Sequence, residues 1–319
     1  MAIDLFKHQE PEIKFLAVEK LNLLYNLFTT ILVLILFDRL DAPEEQLMNR
    51  FLILFGTFAI IYLYTKFPSR ASKYLRVFMQ MWLLIYWYPE TFEFNRLIPN
   101  FDHLFASLDY SLFGCQPALE FEQVLPGCFW REAFNFGYWL YYPMIALVTT
   151  YCFFCRPKQT ERCTFIILSS FFIYYLIYMV LPVAGPQFYF PVIGDEAAAT
   201  GFYPEIGYYF NQHPEITIVQ ENKGGLFTEL VCMAQSTGER PTAAFPSSHI
   251  GVATILLFLA FRAKKALFAL LLPVYLLLCC ATVYIKAHYL VDAIAGVVSG
   301  VLFYMLTSWM YRRLFREQK

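Results

Sequence analysis

Two short segments carry residue types able to do chemistry: R-P-T-A-A-F-P-S-S-H-I-G at 240–251 and Y-I-K-A-H-Y-L-V-D at 284–292. In the second, His288 and Asp292 stand four apart, so on a helix they share one face. A carboxylate there accepts the imidazole N–H, fixes the tautomer and stabilises the imidazolium. The other ring nitrogen is left as base or nucleophile. The pair would also serve as half of a metal site, but no third ligand stands at a plausible spacing nearby. In the first segment, Pro246 suits the first turn of a helix and Ser247 or Ser248 its cap. The N–H groups that follow, with the helix dipole, make an anion site, above all for phosphate. An ordinary Ser-capped helix accounts for Pro246 and Ser247, but not for His249 at the mouth of an apolar helix.

Two histidines, one carboxylate, the cations Arg240 and Lys286 and a helix N-terminus together fit phosphoryl transfer. His288 would attack phosphorus in line and His249 would protonate the leaving oxygen. Arg240, Lys286, Ser247, Ser248 and backbone N–H groups would hold the equatorial oxygens. These residues imply no cofactor and no metal.

The elements that must position them are membrane helices. Of 319 residues, 59% are hydrophobic, 19% aromatic and only 15% charged. Soluble domains average about 45–50% apolar and about 25% charged. The composition excludes a soluble globular enzyme, a disordered chain and a disulfide-knot scaffold. The net charge of −1 offers no basic field for nucleic acid. An all-α bundle of about eight spans is expected, at about 21–37, 50–65, 74–88, 134–154, 164–182, 247–261, 265–285 and 289–311. Six or seven remain open if one of the short second and third spans is re-entrant.

Lys and Arg sort the connections. One set holds Lys7, Lys14 and Lys20, then Lys66, Arg70, Lys73 and Arg76, then Arg156, Lys158 and Arg162. It continues with Arg262, Lys264 and Lys265 and ends with Arg312, Arg313, Arg316 and Lys319. The alternate connections hold only Arg39 and Arg50, Arg96 and Arg131, Lys223 and Arg240, and Lys286. Both termini are therefore expected in the cytoplasm, in the plasma or inner membrane if the source is bacterial. The first 20 residues are charged and lack the apolar core of a cleavable signal. The seventh span, about 21 residues and about 30 Å long, returns the chain, so His249 and His288 share a depth near the outer interface.

Two long segments, 89–133 and 183–246, then face outward. F-D-H-L-F-A-S-L-D-Y-S-L-F-G at 101–114 reads either as an amphipathic helix lying in the interface or as a packed surface helix. The second segment reads as an ordered cap. Glu120, Glu122 and Glu132 read as a solvated face, and Trp82, Trp87, Trp130, Trp139 and Trp309 as an interfacial belt. The eight cysteines show no metal pattern; a Cys115–Cys128 bridge is one expectation.

P-S-S-H at 246–249, with H-Y-L-V-D at 288–292, resembles the second and third motifs of the type-2 phosphatidic acid phosphatase superfamily, usually P-S-G-H and S-R-x5-H-x3-D. The resemblance implies that His288 becomes a phosphohistidine, Asp292 orients it and His249 is the general acid. It implies a six-helix catalytic core at about 70–311, preceded by a tail and two added spans at 1–69 and followed by a basic tail at 312–319. The first motif, K-x6-R-P, is absent: Met233 stands where its lysine belongs, ahead of Arg240-Pro241. Ala281 and Thr282 replace the Ser and Arg of the third motif, and Lys286 would supply the missing cation. These departures are similar to the inositol phosphorylceramide synthase branch. In that branch, Gly185, Pro186 and Gln187 would form a substrate loop.

The resemblance leaves a membrane-lipid phosphatase, with water as acceptor, and a phosphotransferase, with a lipid alcohol such as ceramide, both open. A proton-coupled transporter would use the same ionisable residues, but no repeat relates the two halves. A structural scaffold predicts histidines well over about 10 Å apart, too far to reach one phosphate.

Overall fold

The computed structural model describes residues 5–6, 8, 10, 14–213, 216 and 224–315. Of the basic residues used above, Lys7, Lys223, Arg316 and Lys319 lie outside that set. The chain is helical throughout its regular elements: α1 (Ala17–Ile35), α2 (Pro43–Lys66), α3 (Arg70–Trp82) and α4 (Leu84–Asn95). There follow α5 (Asp102–Phe113), α6 (Pro117–Val124), α7 (Cys128–Trp139) and α8 (Tyr141–Cys155). Then come α9 (Thr160–Val180), α10 (Pro186–Ile193), α11 (Asp195–Thr200) and α12 (Tyr209–Gln212). The last four are α13 (Leu226–Gly238), α14 (Ser248–Ala263), α15 (Lys265–Tyr284) and α16 (Leu290–Leu314).

Among the described residues, five helical stretches are long and apolar enough to cross a membrane: α1, α2, Pro157–Val180, α15 and α16. Helix α14 is apolar but shorter, with 16 residues. The spans expected at 74–88 and 134–154 are each divided, at Leu83 between α3 and α4 and at Leu140 between α7 and α8. Pro143 explains the second break. It has no N–H to return to the carbonyl of Trp139, and its ring crowds that carbonyl.

Packing divides the chain into two compact units. The first holds residues 1–87, 149–172 and 306–319. Here α1, α2 and α3 pack together around a buried ion pair. Arg76 Nε and Nη2 donate to the two Glu19 carboxylate oxygens at 2.8 and 2.7 Å, with both side chains 1% exposed. The guanidinium also lies 4.7 Å over the Tyr64 ring. Trp87, expected at an interface, is instead fully buried and donates its indole N–H to Asn22. That polar partner is what lets a tryptophan sit in a core.

The second unit holds residues 88–148 and 173–305. Here α15 packs against α14, α6 and α7, and α13 packs on α7. Close crossing needs missing side chains. A Cβ on Gly296 of α16 would lie 2.7 Å from the Ser247 carbonyl oxygen, and one on Gly300 would lie 2.6 Å from that of Gly251. A Cβ on Gly251 would overlap the Tyr174 hydroxyl. These glycines bring the start of α14 against the N-terminal half of α16.

Several loop expectations change. Cys115 and Cys128 are free thiols. Glu132 is half-exposed but not free: it accepts the N–H groups of Phe227 and Thr228 and the Thr228 hydroxyl, and so caps α13. Helix α5 buries one face, which carries Asp102 and Asp109, and exposes Leu104, Leu108 and Leu112 on the other.

Candidate active site

The start of α14 is set by Ser247, the cap residue, whose Oγ accepts the Ile250 N–H at 3.4 Å. Pro246 therefore precedes the cap instead of opening the first turn. The Ser247 N–H donates to the Asp292 carbonyl at 3.1 Å, which ties the 240–251 segment directly to the first turn of α16. Ser248 N–H donates to the Tyr178 hydroxyl at 3.1 Å, and that hydroxyl donates to the Pro246 carbonyl at 2.9 Å. Ser247 is thus wholly buried as a cap, and Ser248 is buried against Tyr178. Part of the expected N–H anion site is used up within the protein.

The two histidines meet, with ring centroids 5.9 Å apart. His249 is half-buried and lies on the rings of Tyr138, at 4.8 Å, and Tyr141, at 4.5 Å. His288 is buried just before α16. Its N–H backbone group donates to the Thr282 carbonyl at 3.0 Å, and its Nδ1 lies 2.8 Å from the Ala244 carbonyl. A carbonyl only accepts, so Nδ1 carries the proton and Nε2 carries the lone pair.

The expected His288–Asp292 hydrogen bond is replaced by that carbonyl contact. Nδ1 stands 3.7 Å from Asp292 Oδ2, too long for a hydrogen bond. The reason is local. Helix α16 begins at Leu290, which makes Asp292 its third residue, and the carboxylate reaches back to the Tyr289 N–H at 2.9 Å. Its other oxygen, Oδ1, is buried with no hydrogen-bond partner.

The substrate-loop candidates sit beside these residues. The Gly185 N–H donates to Asp102, and a Cβ on Gly185 would lie 2.8 Å from the Ala287 carbonyl oxygen. Gly185 has φ +94°, a conformation open to glycine. Pro186 opens α10, and Gln187 N–H donates to the Lys286 carbonyl at 2.9 Å. Lys286 is half-buried with φ +63°. Arg240 is not brought in: its side chain is exposed, with no hydrogen bond or ion pair among the described residues. Met233, in the lysine position of the missing motif, is 66% exposed.

Sequence reasoning missed Glu239. Its carboxylate accepts Tyr138 Oη at 3.1 Å, Gln187 Nε2 at 2.8 Å and Gln235 Nε2 at 3.4 Å. Burial pushes the Glu239 carboxyl up, opposed by hydrogen bonds from Gln187 and Tyr138 and by its interaction with the nearby His288. Burial likewise pushes the His288 imidazole down to about 4, opposed by the Ala244 hydrogen bond and the Glu239 charge. His288 is therefore neutral at pH 7. Among the described residues, no three His, Cys, Asp or Glu side chains gather as a metal-binding group.

The family model of the PAP2 superfamily matches residues 120–306, more than half of the chain. The chain belongs to the PAP2 superfamily. No curated protein and no solved structure matches it significantly. Membership in the PAP2 superfamily, with the long apolar helices, makes it an integral membrane protein and a phosphatase-type lipid enzyme in general terms. Both histidines and Asp292 lie inside the PAP2 match; α5 lies before it.

Proposed function

We propose that the chain is a metal-independent lipid phosphatase or phosphotransferase that works through a phosphohistidine. The observation that carries this reading is the 5.9 Å separation of two histidine rings, one of which has Nδ1 engaged and Nε2 unprotonated. Neutral His288 attacks phosphorus through Nε2, forming an N–P bond as the bond to the leaving oxygen breaks. His249 gives its proton to that oxygen. In the second half-reaction neutral His249 takes a proton from the acceptor hydroxyl, whose oxygen displaces His288 from phosphorus. The Asp292 carboxylate, 3.7 Å from His288, stabilises the positive charge on the phosphorylated ring. Lys286 supplies positive charge for the equatorial oxygens.

The Lys and Arg alternation supports cytoplasmic termini and a site at the outer, periplasmic or lumenal, face. The acceptor is water or a lipid alcohol. Gln187 of α10 and Gln235 of α13 both bond Glu239, which interacts electrostatically with His288; an ordered outer segment of this kind, with the first motif missing, supports an inositol-phosphate transfer to ceramide over hydrolysis. The test uses purified enzyme in detergent with phosphatidic acid, and separately with phosphatidylinositol plus ceramide. Release of phosphate, or transfer to the acceptor, is expected in the wild type and is abolished in His288→Ala. Full activity in that variant would refute the mechanism.

A further inference from the structure

Helix α5 turns its charged face inward. Asp102, Ala106 and Asp109, spaced four and three apart, are all 0% exposed. Leu104, Leu108 and Leu112 on the other side are 55%, 45% and 61% exposed. Each buried carboxylate is satisfied by donors from other segments around the site. Asp102 Oδ1 accepts the Gly185 N–H at 2.8 Å and the Tyr289 hydroxyl at 2.9 Å. Its Oδ2 accepts the Ala184 N–H and Asn100 Nδ2, both at 2.6 Å. Asp109 accepts the Leu290 N–H at 2.8 Å and the Val291 N–H at 2.9 Å. Burial pushes both carboxyls up, and these N–H donors oppose it.

The donors flank His288 on both sides. Leu290 and Val291 open α16, and their N–H groups have no partner inside the helix. Ala184 and Gly185 enter α10, where Gly185 is packed against Ala287, the neighbour of His288. Ala184 also adjoins Val183, whose carbonyl accepts the Ala244 N–H at 2.8 Å. Ala244 in turn holds His288 Nδ1. One helix therefore clamps both backbone segments that aim the imidazole.

We propose that Asp102 and Asp109 are positioning residues for phosphoryl transfer, holding residues 184–185 and 289–291 so that His288 Nε2 stays in line with phosphorus. This rests on the phosphohistidine reading above. A carboxylate suits the task because it offers two acceptor oxygens and no donor. An asparagine at 109 accepts one of the two N–H groups and turns its own NH2 toward the other. A shift of about 1 Å at a reacting centre costs about 10²-fold in rate.

Vanadate mimics the five-coordinate phosphorus under attack, whereas inorganic phosphate mimics the ground state. Both are titrated by calorimetry against full-length wild type, His288→Ala, Asp109→Asn and Tyr289→Phe in detergent. Asp109→Asn is expected to weaken vanadate at least tenfold with phosphate unchanged within twofold. Tyr289→Phe, which removes only one hydroxyl donor to Asp102, is expected to weaken vanadate about threefold. It carries the test alone if Asp109→Asn does not fold. Vanadate affinity equal to wild type, or equal weakening of both anions, overturns the positioning role, since a merely structural defect does not distinguish them. Loss of vanadate binding in His288→Ala beside unchanged Asp109→Asn and Tyr289→Phe overturns this inference alone. Unchanged vanadate binding in His288→Ala overturns the catalytic reading beneath it.

Discussion

At the scale of single residues, the state of His288 is decided by two neighbours. The Ala244 carbonyl holds the proton on Nδ1, and burial keeps the ring neutral by bringing its pKa down to about 4. The nucleophile is the neutral ring, so protonation removes it. Under the proposed mechanism, kcat/KM loses activity on the acid side as pH falls through about 4, rather than near the ordinary imidazole value of about 6.5. A pH–rate profile measures this; an acid limb between 6 and 7 assigned to His288 contradicts it. The histidines and Asp292 were legible because they stand at chemically meaningful spacings in an otherwise uncharged stretch. The hydrogen-bond partner of His288 was not. A backbone carbonyl carries no residue signature, and Asp292 was drawn off by the Tyr289 N–H that the helix start leaves open.

At the scale of elements, the site is a crossing of two helix starts, α14 and α16. Gly296 permits it, since a Cβ there would meet the Ser247 carbonyl oxygen at 2.7 Å and Ser247 Cβ at 3.1 Å. Gly296→Ala must separate the helices or strain Ser247, which is itself bonded to Asp292. It is expected to destabilise by about 1–3 kcal/mol, as overpacking does, and to lower kcat at least tenfold. Thermal unfolding in detergent and steady-state kinetics check both; wild-type values for both contradict a tight crossing. Hydropathy marked these apolar helices well, because a membrane helix is a property of composition over many residues. At 74–88 and 134–154 the apolar run is shared by two helices that meet at Leu83 and at Leu140. In α5 the leucines outline an apolar face, but only the capping needs of α10 and α16, far away in sequence, explain why the aspartates face inward.

At the scale of the whole molecule, the scarce charge is put to a few separate uses beside the backbone-holding carboxylates of α5. Basic residues alternate between connections, a few polar groups gather at the starts of α14 and α16, and one ion pair is buried in the first unit. The last was invisible in the sequence, where Glu19 and Arg76 are 57 residues apart and Arg76 reads as one more basic residue in a connection. Arg76→Met leaves the Glu19 charge buried without its partner and is expected to cost about 3–5 kcal/mol. The double variant Glu19→Leu/Arg76→Met is expected to recover most of that in thermal unfolding, and a double variant as unstable as the single contradicts the pairing. In the proposed mechanism phosphorus passes through His288. The most direct test is alkaline quenching of the enzyme during turnover of phosphatidic acid or phosphatidylinositol, followed by mass spectrometry of its peptides. A phosphoryl adduct on His288, or an inositol-phosphoryl one with phosphatidylinositol, is expected and is absent in His288→Ala; a wild-type enzyme turning over with no such adduct, or with it on another residue, contradicts the mechanism.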